Sequence, residues 1–515
     1  MSLVAFSAYF FEYNLLSIMY HGCERSMQSI FVNLLGIGLV AMHATASATF
    51  GGVVFVGGLY DLNRYIDGDI LPLSLSRCEA AVDEAVEIGL AKVAFLPTAY
   101  WLDSGPADPP PGFDPLCREY ASDLNGYYCY DRYRVTNVSH FCLSRTAEDV
   151  IKHSCQEPTA REMRVWQLLM ARCIHRASEK GLDIEINIRV DDGRTLQGWR
   201  NTILFSPTTL YGQYSYETAF IEPLVEILST TDYKSKISLT VAGEMGASLT
   251  HYADQWLDVI SRVREQLNAA RQPKGAPPIQ VGVQINHNKV CGCHSVGFVG
   301  SYEDYLSTYE SFDTSALNID VDSFVHLLKK SDFVGISAYI AIEDPYSIRS
   351  CEFEELLARL DDELVFFNTS IADITNAGTR IQFSETGVGG GASQDGRTPA
   401  TSASEAAQRP YWGIQGPPNA NRSNDPFRLD LCDSTGNCLD RNEIREYRRS
   451  FYRAFSDYLT GQGDCAYDGY IDDVFLWSTG SWDVVGLYRP DRNWVDPVVI
   501  QTIVEHNAAV MNGGP

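Results

Sequence analysis

Basic charge is scarce in this chain of 515 residues: 40 lysines and arginines stand against 66 aspartates and glutamates, a net charge of −26 at pH 7. Such a field repels nucleic acid and anionic membrane surfaces, while a neutral polysaccharide is indifferent to it. No segment repeats at a fixed period, which excludes a repeat array. No run of about 18 continuous apolar residues is present, the length that a membrane-spanning helix requires. No Gly-x-Ser-x-Gly follows a strand-like run, so Ser-His-Asp catalysis lacks its nucleophile elbow. Gly389-Gly-Gly391 lacks the lysine and hydroxyl of a phosphate loop. Cys291-Gly-Cys293-His294, with His287 nearby, has only one residue between its cysteines and is no haem motif; disulfide pairing is preferred there to a metal cluster. No metal and no cofactor is expected.

What is present begins with a leader. Ile30 to Val40 is an apolar run of signal-peptide length, and Ala46-Ser47-Ala48 matches a small-residue cleavage pattern. Residues 1–48 are therefore expected to be a signal peptide cleaved after Ala48, with a true start at Met27 and an over-extended segment before it. Residues 49–515 then form the catalytic domain. Of 13 cysteines only Cys23 lies in the leader, which leaves an even number for an oxidising compartment. Close spacings suggest the bridges Cys432–Cys438, Cys117–Cys129 and Cys142–Cys155. Asn137-Val-Ser, Asn368-Thr-Ser and Asn421-Arg-Ser are N-glycosylation triplets. The expected location is secreted and extracellular, in a cell wall or matrix.

From Val53 onward, strand-like and helical patterns alternate eight times. The strand-like runs are Val53–Val56, Ala91–Leu96, Leu182–Val190, the run ending at Glu244, Ile279–Ile285, Phe333–Tyr339, the run ending at Glu385, and Asp473–Trp477. Helical spacing marks Ser74–Ile88, Glu162–Lys180, Thr218–Leu228, His251–Leu267, Phe324–Lys330, Glu352–Ser370, Asn442–Leu459 and Pro497–Ala508. Alternation argues for a parallel sheet, and eight rounds for a closed (β/α)8 TIM barrel. The composition, 45% hydrophobic and 21% charged, suits one large globular domain. Three long connections, Tyr100–Arg161, Asn286–Ser323 and Val388–Arg441, each follow a strand. That puts them on the face where barrels keep their chemistry, and most of the cysteines lie in or near them. They are expected to be disulfide-held walls of a substrate groove.

Two glutamates close strand-like runs: Ser238-Leu-Thr-Val-Ala-Gly-Glu244 and Thr379-Arg-Ile-Gln-Phe-Ser-Glu385. Strands four and seven face each other across a barrel mouth. Two carboxyls there can protonate a glycosidic oxygen and meet the oxocarbenium charge. Glu244 is assigned as acid/base and Glu385 as nucleophile, with the charge of Glu385 keeping a proton on Glu244. Candidate substrate-binding residues lie at other strand ends. Tyr339 is placed to bond the nucleophile, and Trp477 to form a stacking floor. Asn286, His287, Trp199, Arg200, Tyr100, Trp101 and Trp482 are placed to meet sugar hydroxyls or rings. Each of these side chains equally has a reading as plain packing.

In this order of carboxylates the chain resembles glycoside hydrolase clan A, and within it family 113, whose known members are endo-β-mannanases. The similar stretches are Asp192-Gly193 leading to Trp199-Arg200, Val241-Ala-Gly-Glu244, and Trp256-Leu-Asp-Val-Ile260 with Ser-Arg-Val-Arg264. They continue with Val334-Gly-Ile-Ser-Ala-Tyr339, Phe383-Ser-Glu385-Thr-Gly387 and Leu476-Trp477. The resemblance implies a barrel and a retaining mechanism on a polysaccharide or oligosaccharide, with β-mannan the leading substrate. Most of the clan carries Asn before the acid/base, where this chain has Gly243. The family usually carries Pro-His where this chain has Ile188-Arg189. Two other classes stay open: a catalytically silent barrel that binds carbohydrate or builds matrix, and a surface protein anchored by residues 30–47.

Overall fold

The computed structural model describes residues 48–56, 77–97, 99–103, 137–143, 155–193, 200–287, 290–292, 319–388, 402–408, 441–465, 469–479, 488–489 and 494–513. The chain divides into two compact units, residues 1–46 and 47–515, and the first lies wholly outside the described residues. The second unit carries the strands β1 (Phe50–Val56), β2 (Lys92–Pro97), β3 (Asp183–Asn187), β4 (Ile237–Gly243), β5 (Gln280–Asn286), β6 (Phe333–Ala338), β7 (Arg380–Thr386) and β8 (Ile471–Leu476). All pair in parallel with their sequence neighbours, and β1 also pairs with β8, which closes the barrel. The expected (β/α)8 fold is therefore the observed one.

The outer layer consists of α1 (Arg77–Glu87), α2 (Ala160–Glu179), α3 (Glu222–Thr230), α4 (Ala253–Arg271), α5 (Val321–Lys330), α6 (Cys351–Leu364), α7 (Arg441–Leu459) and α8 (Pro497–Met511). Local chemistry sets several boundaries. Thr159 caps α2 through the Glu162 N–H, and Glu162 returns the bond to the Thr159 N–H, which satisfies two otherwise orphaned donors. On α4 the apolar spacing puts Trp256, Val259, Ile260 and Val263 against the barrel, all buried. The helix expected over Glu352–Ser370 ends earlier: Asn368 takes a left-handed conformation, and Ser370 caps a separate short helix at Ile371–Asn376. At the chain closure, the His506 ring on α8 bonds the Ala48 carbonyl at 2.8 Å, and Asn507 accepts the Phe50 N–H at 2.7 Å. Ala48, the last residue of the expected leader, is thus buried against the barrel.

Strands β2, β4 and β6 are buried along their whole length, as parallel strands covered by helices must be. The barrel interior is nonetheless polar. Glu185, Asn187, Thr240, Gln284, Ser337, Gln382 and Ser384 have no exposed surface. Hydrogen bonds join several of them across strands far apart in sequence, because a buried polar group left unpaired would be costly.

The long connections fall mostly outside the described residues. Where described, the first forms a strand at Tyr100–Asp103. It pairs antiparallel with Val138–Cys142 and parallel with Asp191–Asp192, at the ends of β2 and β3. Cys142–Cys155 is bonded as expected, with Cα atoms 5.7 Å apart. The pairs Cys432–Cys438 and Cys117–Cys129 lie outside the described residues. Two long-range bridges were not anticipated: Cys78–Cys173 joins α1 to α2, and Cys351–Cys465 joins the start of α6 to the turn after α7. Asn137 and Asn368 are exposed, and Asn421 lies outside the described residues. No helix among the described residues is long and apolar enough to cross a membrane.

The Cys78–Cys173 bridge spans 95 residues of sequence. Closing so long a loop restricts the unfolded chain, so the double variant Cys78→Ala/Cys173→Ala should lose about 2–5 kcal/mol of stability by denaturant titration.

Candidate active site

Glu244 and Glu385 meet at the C-terminal mouth of the barrel, 2% and 3% exposed. Glu244 is the first residue beyond β4. Its N–H still continues the ladder to the Gln284 carbonyl at 3.0 Å, but its φ is +57°, a conformation that a side chain rarely adopts. This left-handed residue breaks the strand alternation and re-aims the carboxylate; such strain, of order 1–3 kcal/mol, is held by the surrounding structure. The step before it requires glycine. A Cβ on Gly243 would lie 2.9 Å from the Ile188 carbonyl and would also strike the Asn187 side-chain oxygen. No asparagine fits there. Glu385 sits one residue from the end of β7, beside a register shift on both neighbouring strands. A shift of this kind turns a side chain off its regular face.

One guanidinium joins the two acids. Arg189 Nη2 lies 2.6 Å from Glu385 Oε2, and its Nη1 lies 3.5 Å from Glu244 Oε2. Glu244 is further surrounded by donors. Arg200 Nη1 reaches Oε2 at 2.5 Å, while the Ser337 hydroxyl and the Asn286 amide reach Oε1 at 2.5 and 2.6 Å. Arg200 also pairs with Asp191. Glu385 Oε1 accepts the Tyr339 hydroxyl at 2.5 Å, as expected for that tyrosine.

These contacts shift the two acids in opposite directions in the unliganded site. Burial alone would raise Glu244, but Arg189, Arg200, Ser337 and Asn286 together outweigh it and hold its pKa below the usual glutamate value. Burial raises Glu385, the charge of Glu244 adds to that, and Arg189 and Tyr339 offset it only in part. In the unliganded protein the two shifts run opposite to the expectation that the charge of Glu385 holds a proton on Glu244: Glu244 is held low and Glu385 is pushed up. The difference is the second arginine: Arg200 pairs with Glu244, and with Asp191 behind it, whereas Glu385 is met by Arg189 and Tyr339.

The other candidates divide. Tyr339, Asn286 and Arg200 join the site through direct contacts to the glutamates. Trp477, buried just past β8, carries the Arg189 guanidinium over its ring at 5.6 Å, so it backs that cation rather than presenting a free stacking floor. His287 touches neither acid: its Nδ1 donates to the Ser337 carbonyl at 3.1 Å, and burial pushes its pKa down to about 4, so the ring is neutral. Trp101 has no exposed surface and belongs to the core beneath the side sheet, which corrects its assignment to a sugar contact. Tyr100, on the same strand, is half-buried. Trp199 and Trp482 lie outside the described residues. Cys291 is in a disulfide.

Arg189, Ser337, Gln284 and Asp191 were missed as site residues. A signal for Arg189 was present. In Leu182-Asp-Ile-Glu-Ile-Asn-Ile-Arg189 the polar residues alternate, and Glu185, Asn187 and Arg189 are all buried. Alternation marked the strand but did not say that the polar side faces inward.

No protein-family model matches the chain, and no curated protein matches it. Among solved structures it is similar to a GH113 β-1,4-mannanase complex at 12% identity, covering 90% of this chain and 98% of that one, with a TM-score of 0.41. It is likewise similar to the GH113 β-mannanase of Alicyclobacillus acidocaldarius (13% identity, 90% and 97% covered, TM-score 0.40). A third is the GH5_18 protein of Streptomyces cattleya in complex with GlcNAc (12% identity, 91% and 82% covered, TM-score 0.38). The barrel assignment rests on the strand pairing of this chain and not on these likenesses.

Gly243→Ala tests the steric account of the approach to Glu244. The added methyl must displace the end of β3, so a loss of about 1–3 kcal/mol is expected in thermal or denaturant unfolding.

Proposed function

We propose that this protein is a secreted retaining β-glycoside hydrolase acting on a polysaccharide. The observation that carries the reading is the pair of buried carboxylates, one beyond β4 and one on β7, bridged at the barrel mouth by a single guanidinium. Two acids held within reach of one cation, at the end of a barrel where loops receive substrate, are the equipment of acetal cleavage. Glu385 is the nucleophile: the Tyr339 hydroxyl and Arg189 orient one oxygen each and stabilise the charge it must carry. Glu244 is the acid/base. To act as acid it must take a proton, which requires that substrate draw Arg200 away from Oε2. Asp191, already paired with Arg200, offers that cation an alternative partner. β-Mannan heads the list of substrates because of the resemblance of the sequence motifs to family 113.

The opposite shifts of the two acids in the unliganded site, Glu244 held low and Glu385 pushed up, favour a second assignment within the same reaction, with Glu385 as acid and Glu244 as the ionised partner. Rescue by azide separates the two. With a retaining enzyme on an activated aryl glycoside, azide should revive Glu244→Ala and give the β-glycosyl azide. It should revive Glu385→Ala by giving the α-glycosyl azide. The opposite pattern would exchange the roles.

The primary experiment is a product screen of the purified protein against β-mannan, glucomannan, cellulose, xylan and aryl β-glycosides, beside Glu244→Gln and Glu385→Gln. Wild type should release oligosaccharides, and each variant should lose several orders of magnitude in rate while keeping its fold by circular dichroism. Cleavage of another glycan would keep the mechanism and discard mannan. A folded wild type silent on every substrate would turn the reading to a carbohydrate-binding or matrix barrel.

A further inference from the structure

The polar barrel interior forms a directed chain that ends on Glu244. It begins at Glu185, whose Oε1 contacts the Thr240 hydroxyl at 2.6 Å and the Asn187 amide nitrogen at 3.3 Å. A carboxyl oxygen there orients the Asn187 NH2, which also donates to Gln284 Oε1 at 2.5 Å. With its oxygen so occupied, Gln284 turns its NH2 to the Ser337 Oγ at 2.7 Å. Ser337 has one proton, and its oxygen is already accepting. That proton therefore goes to Glu244 Oε1, at 2.5 Å. Reversing any one amide would set two donors or two acceptors face to face. Every member is buried, so water cannot supply a substitute partner.

We propose that Asn187, Gln284 and Ser337 act as positioning residues that reserve Glu244 Oε1 as a hydrogen-bond acceptor, so that the acidic proton of Glu244 resides on Oε2. This rests on the acid/base role of Glu244 proposed above. Asn286 reinforces the arrangement, because its amide also donates to Oε1 at 2.6 Å. Oε2 is the oxygen that Arg200 and Arg189 touch, so the oxygen that takes the proton is the one from which substrate must displace Arg200. The charged groups facing Glu244 are Arg189 beyond β3, Arg200, and Glu385 on β7, with Asp191 behind Arg200. None of them is altered in the variants below.

The test is a 13C-NMR titration of labelled glutamate carboxyls, with the Glu244 signal identified by its loss in Glu244→Gln. Ser337→Ala removes a donor to the ionised carboxylate and should raise the Glu244 pKa by about one pH unit or more. Gln284→Met frees the Ser337 hydroxyl to turn away and should move it in the same direction by less. Ser337→Thr keeps the hydroxyl and should restore the wild-type value. In parallel, the alkaline limb of kcat/KM on a substrate with a poor leaving group should move up with the titration, whereas a merely structural role would lower kcat without moving it. An unchanged Glu244 titration in Ser337→Ala and Gln284→Met would overturn the inference. A shifted titration in a protein whose wild type cleaves no glycoside would instead overturn the proposed function and leave the relay standing.

Discussion

The contact of Arg189 with both glutamates is the constraint on which the mouth of the barrel depends. Two carboxylates buried at one mouth repel each other and lose hydration, and a cation between them offsets part of both costs. The guanidinium suits this position because its planar fork offers separate N–H groups to separate acceptors and keeps its charge when buried. Trp477 lies beneath it, so the cation is held from one face by an aromatic ring and from its edge by two acids.

Around that centre, the backbone accepts local penalties to put the acids where they are. Glu244 occupies a left-handed conformation, Gly243 gives up a side chain to let β3 pass, and β7 shifts register at Glu385. Register shifts occur in β7 at Ile381–Gln382 as well as before Glu385, and one interrupts β4 between Thr240 and Ala242. The polar interior below the mouth continues the same logic. Hydrophobic layers would stabilise the barrel more simply, but they could not give Glu244 a donor of fixed direction.

Much of the fold was legible in the sequence because it depends on periodicity. Each of the eight strand-like runs overlaps an observed strand, and Glu244 and Glu385 lie at the ends of β4 and β7. Tyr339 and Asn286 were legible as site candidates for the same reason: each stands at the end of a strand that points to the mouth, while Arg200 lies further along the connection after β3. Trp101 follows a strand too, yet it is buried, because its segment folded into a side sheet that position alone does not reveal. Arg189 went unrecognised because a polar residue on an alternating strand ordinarily faces solvent. Here the outer faces are covered by helices and the inner face encloses the polar set.

Sequence by itself determined the barrel, its carboxylate pair and the strands that carry them, since hydrophobic alternation and strand order act over short spans of chain. Only the tertiary structure decided which partners those carboxylates have. Arg189 and Arg200 from the connection after β3, Asn286 from β5 and Ser337 from β6 converge on Glu244 through closure of the sheet. The balance of charge and burial that lowers one acid and raises the other follows from distances of a few ångströms between them, and no spacing along the chain encodes those distances.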